Sequence, residues 1–236
     1  MDAFSSVAAF VYLASLQTSA QDPKAPEVAA PPTEQVASGS PQQQPTHPTA
    51  ELTPIKPAWE ISGNAYYSDP PNSAARTTAI VYADRGPLHL EARYGYEDSN
   101  TGSIWAGWNL AFAGQVHAEV TPMVGVVVGE TEGIAPGVEL NLGWKRLTLY
   151  TEAEYLFDLE DSNDNFLYSW STLTYQISNR WNAGLVSERM REVHTEFDIQ
   201  RGFTVGFHSK NVVVSVYAYN LDSDDFYSVV SVGFVR

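Results

Sequence analysis

The chain has 236 residues, a formal net charge of −15 at pH 7 and no cysteine. Such an acidic balance argues against a nucleic-acid partner, which needs a surface rich in lysine and arginine. The lack of cysteine in the sequence excludes disulfide frameworks and thiolate chemistry.

Residues 1–20 have the composition of a secretory signal. The apolar run 6–16 is followed by Thr18-Ser19-Ala20, small residues of the kind that flank a signal-peptidase site. No Lys or Arg precedes the run, and Asp2 has the wrong sign for the start of a signal. We therefore predict a signal peptide over 1–20 and keep an ordinary N-terminal helix as the alternative, with the true start codon left open.

Residues 21–57 differ sharply in composition from the rest of the chain. They carry nine of the fourteen prolines and the run Gln42-Gln43-Gln44. Such a composition cannot bury a core, so we predict an extended, disordered linker, which would lie in the periplasm if the rest of the chain forms an outer-membrane barrel. It would act either as a plain spacer or as a tether that touches the cell wall or a partner.

From residue 58 to the C-terminus, apolar and polar side chains alternate, as residues 87–96 illustrate. Period-2 alternation predicts strands with one apolar and one polar face. An even number of strands of about 9–11 residues suits a tilted antiparallel barrel across a bilayer. The predicted strands, twelve in all, lie at 58–67, 75–83, 87–96, 103–111, 115–127, 134–144, 146–157, 166–177, 181–190, 202–208, 211–220 and 226–235.

The connections between these strands fall into two classes. Odd-numbered connections are longer and mostly acidic, as in 97–102 and 158–165, whereas even-numbered ones are tight and lean basic, as in Lys145-Arg146. Short periplasmic turns and longer outer loops are typical of outer-membrane barrels. The segment 191–201 is predicted to be the longest loop, and it mixes both signs of charge.

Aromatic residues concentrate near both ends of the predicted strands, which predicts two girdles at the membrane–water interfaces. At the short-turn ends stand Trp59, Tyr82, Trp144, Trp181, Phe207 and Phe234. At the long-loop ends stand Tyr67, Tyr94, Tyr96, Trp105, Tyr155, Phe157, Tyr168, Tyr219 and Phe226. The plain strand propensity of aromatic residues is the alternative explanation.

The last predicted strand carries apolar residues at Phe226, Val230, Val232 and Phe234, followed by Val235-Arg236. This pattern resembles the C-terminal assembly signal of bacterial outer-membrane β-barrel proteins of the porin-like kind, which usually closes on an aromatic residue. The resemblance covers residues 58–236 and the predicted signal. It implies an all-β fold, an antiparallel up-and-down transmembrane barrel of about twelve strands. It also implies the bacterial outer membrane as location, with membrane lipid and the barrel-assembly machinery as partners.

The alternation assigns side chains to the lipid or to the lumen. In the third strand Leu88, Leu90, Ala92, Tyr94 and Tyr96 should face lipid, while the eighth is ambiguous because 166–170 and 173–177 place aromatics on opposite faces. The predicted pore-lining residues are His89, Glu91, Arg93, His117, Glu119, Glu139, Glu152 and Glu154. An acidic lining favours cations if the lumen conducts. If these groups pair across the lumen, they form a closed plug instead.

The pairs His89/Glu91 and His117/Glu119 could in principle bind a metal or act as a base with its orienting carboxylate. The same spacing arises easily by chance in alternating strands, so we expect structural hydrogen bonding and no metal site. Some outer-membrane barrels are lipid hydrolases, but the sequence contains no G-x-S-x-G, H-E-x-x-H or Gly-rich phosphate motif. We therefore predict neither enzymatic activity nor a cofactor.

The most direct interpretation is a small porin for passive diffusion of small solutes, with a weak preference for cations. Three alternatives stay open. The first is a non-conducting structural or binding barrel, the second a lipid-modifying enzyme, and the third a soluble β-sandwich or lipocalin-like protein. The outward apolar face of nearly every strand argues against the soluble fold, because such a surface aggregates in water.

Overall fold

The computed structural model of the protein describes residues 58–71, 73–193 and 198–235. The predicted signal peptide at 1–20 and the predicted linker at 21–57 lie outside the described residues. Thirteen strand segments follow one another along the described chain. They are β1 (Glu60–Ser68), β2 (Arg76–Arg85), β3 (Leu88–Tyr94), β4 (Gly102–Trp108), β5 (Leu110–Phe112), β6 (His117–Val128), β7 (Gly133–Trp144), β8 (Leu147–Asp158), β9 (Phe166–Gln176), β10 (Trp181–Glu192), β11 (Asp198–Ser209), β12 (Val212–Tyr219) and β13 (Tyr227–Val235).

These segments form one closed antiparallel barrel of twelve strands. Each segment pairs with the next one in sequence, except that β4 and β5 do not pair with each other, and β1 pairs with β13 through the register Tyr66↔Ser231. The segments β4 and β5 both pair with β6, so together they make a single strand of the wall. The predicted twelve-strand up-and-down barrel is therefore confirmed.

The interruption between β4 and β5 falls at Asn109. Its backbone N–H donates to the Pro87 carbonyl at 2.7 Å. Its side-chain amide donates to Asp84 Oδ1 at 2.8 Å and accepts from the Thr121 hydroxyl at 2.7 Å. One asparagine thus satisfies polar groups from three neighbouring segments where the ladder breaks.

The outer wall of the barrel is apolar, whereas the interior contains charged, polar and aromatic side chains together with a few aliphatic ones. On β6, Val124, Val126 and Val128 are exposed on the outer wall, while Met123 and Val127, at the alternate positions of the strand, are buried in the interior. This alternation is what a lipid-facing wall requires, since every second residue contacts hydrocarbon. No helix among the residues described is long and apolar enough to span a membrane.

The two predicted classes of connection are also present. The turns after β7 and β11 are tight, and Lys145 and Lys210 adopt positive φ angles of 54° and 52° there. The connection after β8 is long and contains a short 3-10 helix over Ser162–Asp164. Because β1 and β13 pair in antiparallel fashion, the start of β1 and the end of β13 both lie at the short-turn end of the barrel.

The girdle prediction is correct for one group of aromatics. At the short-turn end Trp59, Trp144, Trp181 and Phe234 are exposed on the outer wall, and at the long-loop end Tyr67, Tyr94, Phe157 and Phe226 are exposed. Phe207 and Tyr155 are half-buried. Arg85 lies 5.6 Å from the Trp59 ring, and the Lys145 ammonium lies 4.7 Å from the Trp144 ring, so cations cover the aromatics at this rim.

The same prediction is wrong for five residues that point into the lumen and are buried, namely Tyr82, Tyr96, Trp105, Tyr168 and Tyr219. Proximity to a strand end does not decide which face a residue occupies, since the pleat decides it. Tyr96 has a further reason: Gly95 adopts a left-handed φ of 60°, which breaks the alternation after Tyr94. The ambiguous strand β9 places Phe166, Tyr168 and Trp170 inside and Leu173 and Tyr175 outside.

Candidate functional site: the barrel lumen

The candidate site is a cluster of charged and aromatic side chains inside the barrel. His89, Glu91 and Arg93 are successive inward residues of β3, and each is buried. Glu152 and Glu154 are the corresponding inward residues of β8 and are also buried. The pleat therefore positions the two sets, and closure of the barrel brings them together.

Arg93 is the centre of this cluster. Its Nε donates to Glu91 Oε2 at 2.6 Å, and its Nη1 donates to Glu154 Oε2 at 2.9 Å. Glu97 Oε1 lies 4.0 Å from the same Nη1. A guanidinium offers five N–H donors in a planar fork, which suits it to several carboxylates at once.

Aromatic rings cover the faces of the same guanidinium. Arg93 Cζ lies 4.3 Å from the Tyr96 ring centroid and 4.4 Å from the Trp105 ring centroid. Trp105 is held in turn by Nε1, which lies 2.9 Å from Ser103 Oγ and 3.2 Å from Glu97 Oε1. The ring quadrupoles attract the cation and fix its position away from bulk water.

His89 extends the cluster toward the short-turn end. Its Nδ1 lies 2.8 Å from Asp84 Oδ1, and its Nε2 lies 2.7 Å from Glu91 Oε1. Because both neighbours are carboxylates, only the imidazolium form can donate to both of them. Glu91 thus accepts from His89 with one oxygen and from Arg93 with the other.

Tyr150 joins two further carboxylates. Its hydroxyl lies 2.6 Å from Glu139 Oε1 and 2.8 Å from Glu152 Oε2. A hydroxyl carries one proton, so at any moment it donates to one of the two. His89, Glu91 and Glu139 also hold ligand atoms within 4.8 Å of one another, the spacing of a metal site. The hydrogen bonds above already engage each of the three, which agrees with a structural role for them.

The cluster contains more carboxyl groups than cationic groups. Six carboxylates, Asp84, Glu91, Glu97, Glu139, Glu152 and Glu154, surround the cations Arg93 and His89 within the part of the chain that the structure describes. Three carboxylate oxygens, Glu97 Oε2, Glu152 Oε1 and Glu154 Oε1, are buried without a hydrogen-bond partner among the described groups. The interior therefore has unused acceptor capacity that a cation or water can engage.

The remaining predicted residues lie apart from this centre. His117 and Glu119 are half-buried inward residues at the short-turn end of β6, and the register places Glu119 opposite Asn141 of β7. All eight predicted residues thus face the interior, as alternation requires. Their role as the lining of a conducting path stays a prediction.

Four members of the cluster were missed at the level of sequence: Asp84, Tyr96, Glu97 and Trp105. Asp84 and Glu97 stand in or beside connections and read as solvated loop charges. Tyr96 and Glu97 turn inward after the left-handed Gly95, whose carbonyl accepts from Arg76 Nε at 2.8 Å and from the Thr78 hydroxyl at 2.7 Å. The glycine in Tyr94-Gly95-Tyr96 could have indicated from the sequence that Tyr96 and Glu97 turn inward, because glycine adopts a positive φ readily and the strand can end there.

No family model matches the chain, and neither does any curated protein sequence. Solved structures do match. A structure titled "KdgM porin" is 14% identical with a TM-score of 0.55, covering 74% of this chain and 98% of that one. A second, titled as that porin in complex with disordered oligogalacturonate, is 14% identical with a TM-score of 0.53, covering 74% and 98%. A NanC porin is 11% identical with a TM-score of 0.51, covering 76% and 98%.

These comparisons show the fold of the protein. At such low identity the similarity concerns the fold, and the fold is that of porin-like outer-membrane β-barrels. The apolar outer wall, the aromatic rims and the polar interior described above agree with that class.

Proposed function

We propose that the protein is a narrow channel of the bacterial outer membrane that passes small solutes and favours cations. The observation that supports this most directly is the excess of buried carboxylates around Arg93 and His89, with three acceptor oxygens unpartnered within the described chain. A lumen with net negative charge raises the local concentration of cations and repels anions.

The interior side chains also argue for a narrow passage. Arg93 of β3 reaches Glu154 of β8, although three strands of the wall separate them. Trp170 Nε1 lies 3.2 Å from the Tyr219 hydroxyl, and the Tyr96 and Tyr168 rings meet edge-to-face at 5.6 Å. Contacts that span the lumen narrow any passage through it, so we propose small ions and solutes, and not polymers, as its cargo.

The comparison with the oligogalacturonate complex sharpens the proposal. That ligand is a chain of carboxylated sugars, and it is named for the related structure. In this chain carboxyl groups outnumber the cationic groups Arg93 and His89 in the lumen cluster, so we propose that acidic sugars are disfavoured here. Acidic sugars are repelled by the lumen carboxylates more strongly than neutral or cationic solutes, because charges interact strongly in a confined passage of low dielectric constant.

Planar-bilayer recording with the full-length protein tests the proposal. We expect discrete current steps and a reversal potential, measured across a salt gradient, that indicates cation preference. The double variant Glu152→Gln/Glu154→Gln should shift the reversal potential toward zero, because it neutralises two lumen charges. The matched control Glu130→Gln/Glu132→Gln alters the loop between β6 and β7 and should shift it much less.

A second candidate is a non-conducting structural barrel, which the contacts across the lumen favour. Silence over many confirmed insertions would support that candidate and contradict the channel. An unchanged reversal potential in the lumen variant would show that Glu152 and Glu154 do not line the path. We propose no catalytic role, in agreement with the porin-like fold.

A further inference from the structure

The outer wall of the barrel carries a groove across strands β8 to β11. Its volume is about 620 Å³, and its apolar lining comes from Leu149, Leu173, Leu185, Phe203 and Leu221. The first four residues lie side by side through the pairs Leu149↔Leu173, Leu173↔Leu185 and Leu185↔Phe203. Because this wall faces lipid, the groove opens toward acyl chains and not toward the lumen.

A row of small hydroxyl residues explains why the wall is concave there. The register links Thr151 to Ser171, Ser171 to Ser187, and Ser187 to Arg201. The Thr151 and Ser171 hydroxyls are 3.0 Å apart and hydrogen-bonded. A lipid-facing row usually carries bulky apolar residues, so short side chains beside a row of leucines leave a depression.

One arginine of the groove lining, Arg201, lies toward the long-loop end, and two more follow on the outer face of the neighbouring strand β10. Arg189, Arg191 and Arg201 alternate with inward residues of β10 and β11 and are exposed on the outer face. The Arg201 carbonyl accepts from the Asn220 N–H at 2.8 Å, which places Arg201 level with the end of β12 and the following loop. In a chain of net charge −15 with acidic loops, this concentration of arginine stands out.

One carboxylate already occupies part of this basic edge. Asp222 Oδ2 lies 2.7 Å from Arg201 Nη2, and both side chains are largely exposed. The hydrogen bond from Arg201 lowers the pKa of Asp222, so this carboxylate stays charged beside the arginine. The edge can therefore hold an anion, and Asp222 competes with any external one.

We propose that this groove binds one phosphate-bearing lipid of the outer leaflet. The lipid phosphate lies against Arg189 and Arg201, and an acyl chain lies along the hydroxyl row and the leucines below it. Charge complementarity selects the headgroup, and the apolar lining selects a membrane lipid over a soluble anion. This inference does not depend on whether the lumen conducts.

Native mass spectrometry of the full chain, released from nanodiscs, tests the proposal. The nanodiscs contain equal amounts of phosphatidylglycerol and phosphatidylcholine with identical acyl chains. We expect one retained phosphatidylglycerol per barrel. Each of Arg189→Gln and Arg201→Gln should weaken retention about 5-fold, since one arginine near an anionic headgroup contributes on the order of 1 kcal/mol. The matched controls Arg180→Gln and Lys145→Gln lie at the short-turn end and should leave retention unchanged.

Two further variants distinguish a groove from a simple patch of charge. Ser171→Leu/Ser187→Leu keeps the arginines but fills the depression, so retention should fall. Asp222→Asn removes the competing carboxylate, so retention should rise. Heat-modifiable gel migration verifies that each variant is a folded barrel.

Several outcomes would overturn the proposal. Displacement of phosphatidylglycerol by an excess of soluble glycerol phosphate would indicate a free-phosphate site without a groove. Equal loss in the short-turn controls would indicate general electrostatics. Dimers that form through this face and exclude lipid would show that a second copy occupies the groove. Unchanged retention in the groove-filling variant would show that no acyl chain lies there.

Discussion

Replacing Arg93 with methionine should destabilise the barrel strongly. Methionine is unbranched and flexible, so it can occupy much of the space while removing the charge and the N–H fork. Arg93 is 4% exposed and donates to Glu91 at 2.6 Å and to Glu154 at 2.9 Å. Breaking a buried ion pair by removing one partner typically costs about 3–5 kcal/mol, because the carboxylates left behind are buried without compensation.

Urea unfolding of the full chain in lipid vesicles, followed by tryptophan fluorescence, measures this free energy. The double variant Arg93→Met/Glu154→Gln should recover part of the loss, about 1–2 kcal/mol, because it removes one stranded charge. Arg180→Met makes the same chemical change at an exposed turn position and should leave the free energy of unfolding unchanged within error. A loss in Arg93→Met below about 1 kcal/mol would contradict the assignment of Arg93 as the centre of the cluster.

Three other substitutions test parts of the same account. Gly95→Ala should destabilise the barrel by at least about 1–2 kcal/mol, because φ is 60° there and the new Cβ would lie 2.5 Å from the Thr77 carbonyl oxygen. The control in the same unfolding assay is Gly114→Ala, where the atom nearest to the new Cβ is 3.4 Å away. Trp105→Phe keeps a ring beside Arg93 but loses the Nε1 hydrogen bonds, so a loss of about 1 kcal/mol is expected in that assay, and no loss would mean those bonds contribute nothing. Asn109→Ala leaves the buried Thr121 hydroxyl without its asparagine acceptor and should cost about 1–3 kcal/mol, whereas Asn163→Ala in the exposed β8–β9 connection should be close to neutral.

The sequence predicted most of the wall because a strand repeats every two residues. The predicted ranges 146–157 and 181–190 differ from Leu147–Asp158 and Trp181–Glu192 by no more than two residues at either end. The predicted strand 202–208 is shorter than the observed Asp198–Ser209, since the charges near its start resemble a loop. The predicted loop 191–201 is wrong at both ends, because residues 191–192 belong to β10 and residues 198–201 belong to β11. Residues 194–197, which include His194, lie outside the described residues.

The interior could be predicted only in part. Alternation placed His89, Glu91 and Arg93 inside, because parity along one strand is local information. The partners of Arg93 could not be derived in this way. Which of the inward carboxylates reaches the guanidinium depends on the stagger of the closed barrel, a property of all strands together. The prediction that Tyr96 faces lipid was wrong for a local reason, namely the left-handed backbone conformation at Gly95.

The bond between Arg93 and Glu154 also has a mechanical meaning. The hydrogen bonds between neighbouring strands resist separation of those strands, but they offer little resistance to flattening of the barrel's cross-section. Arg93 and Glu154 belong to β3 and β8, which are not neighbours, so their 2.9 Å contact ties two distant parts of the ring. This ion pair across the lumen stiffens the barrel against lateral pressure from the surrounding bilayer.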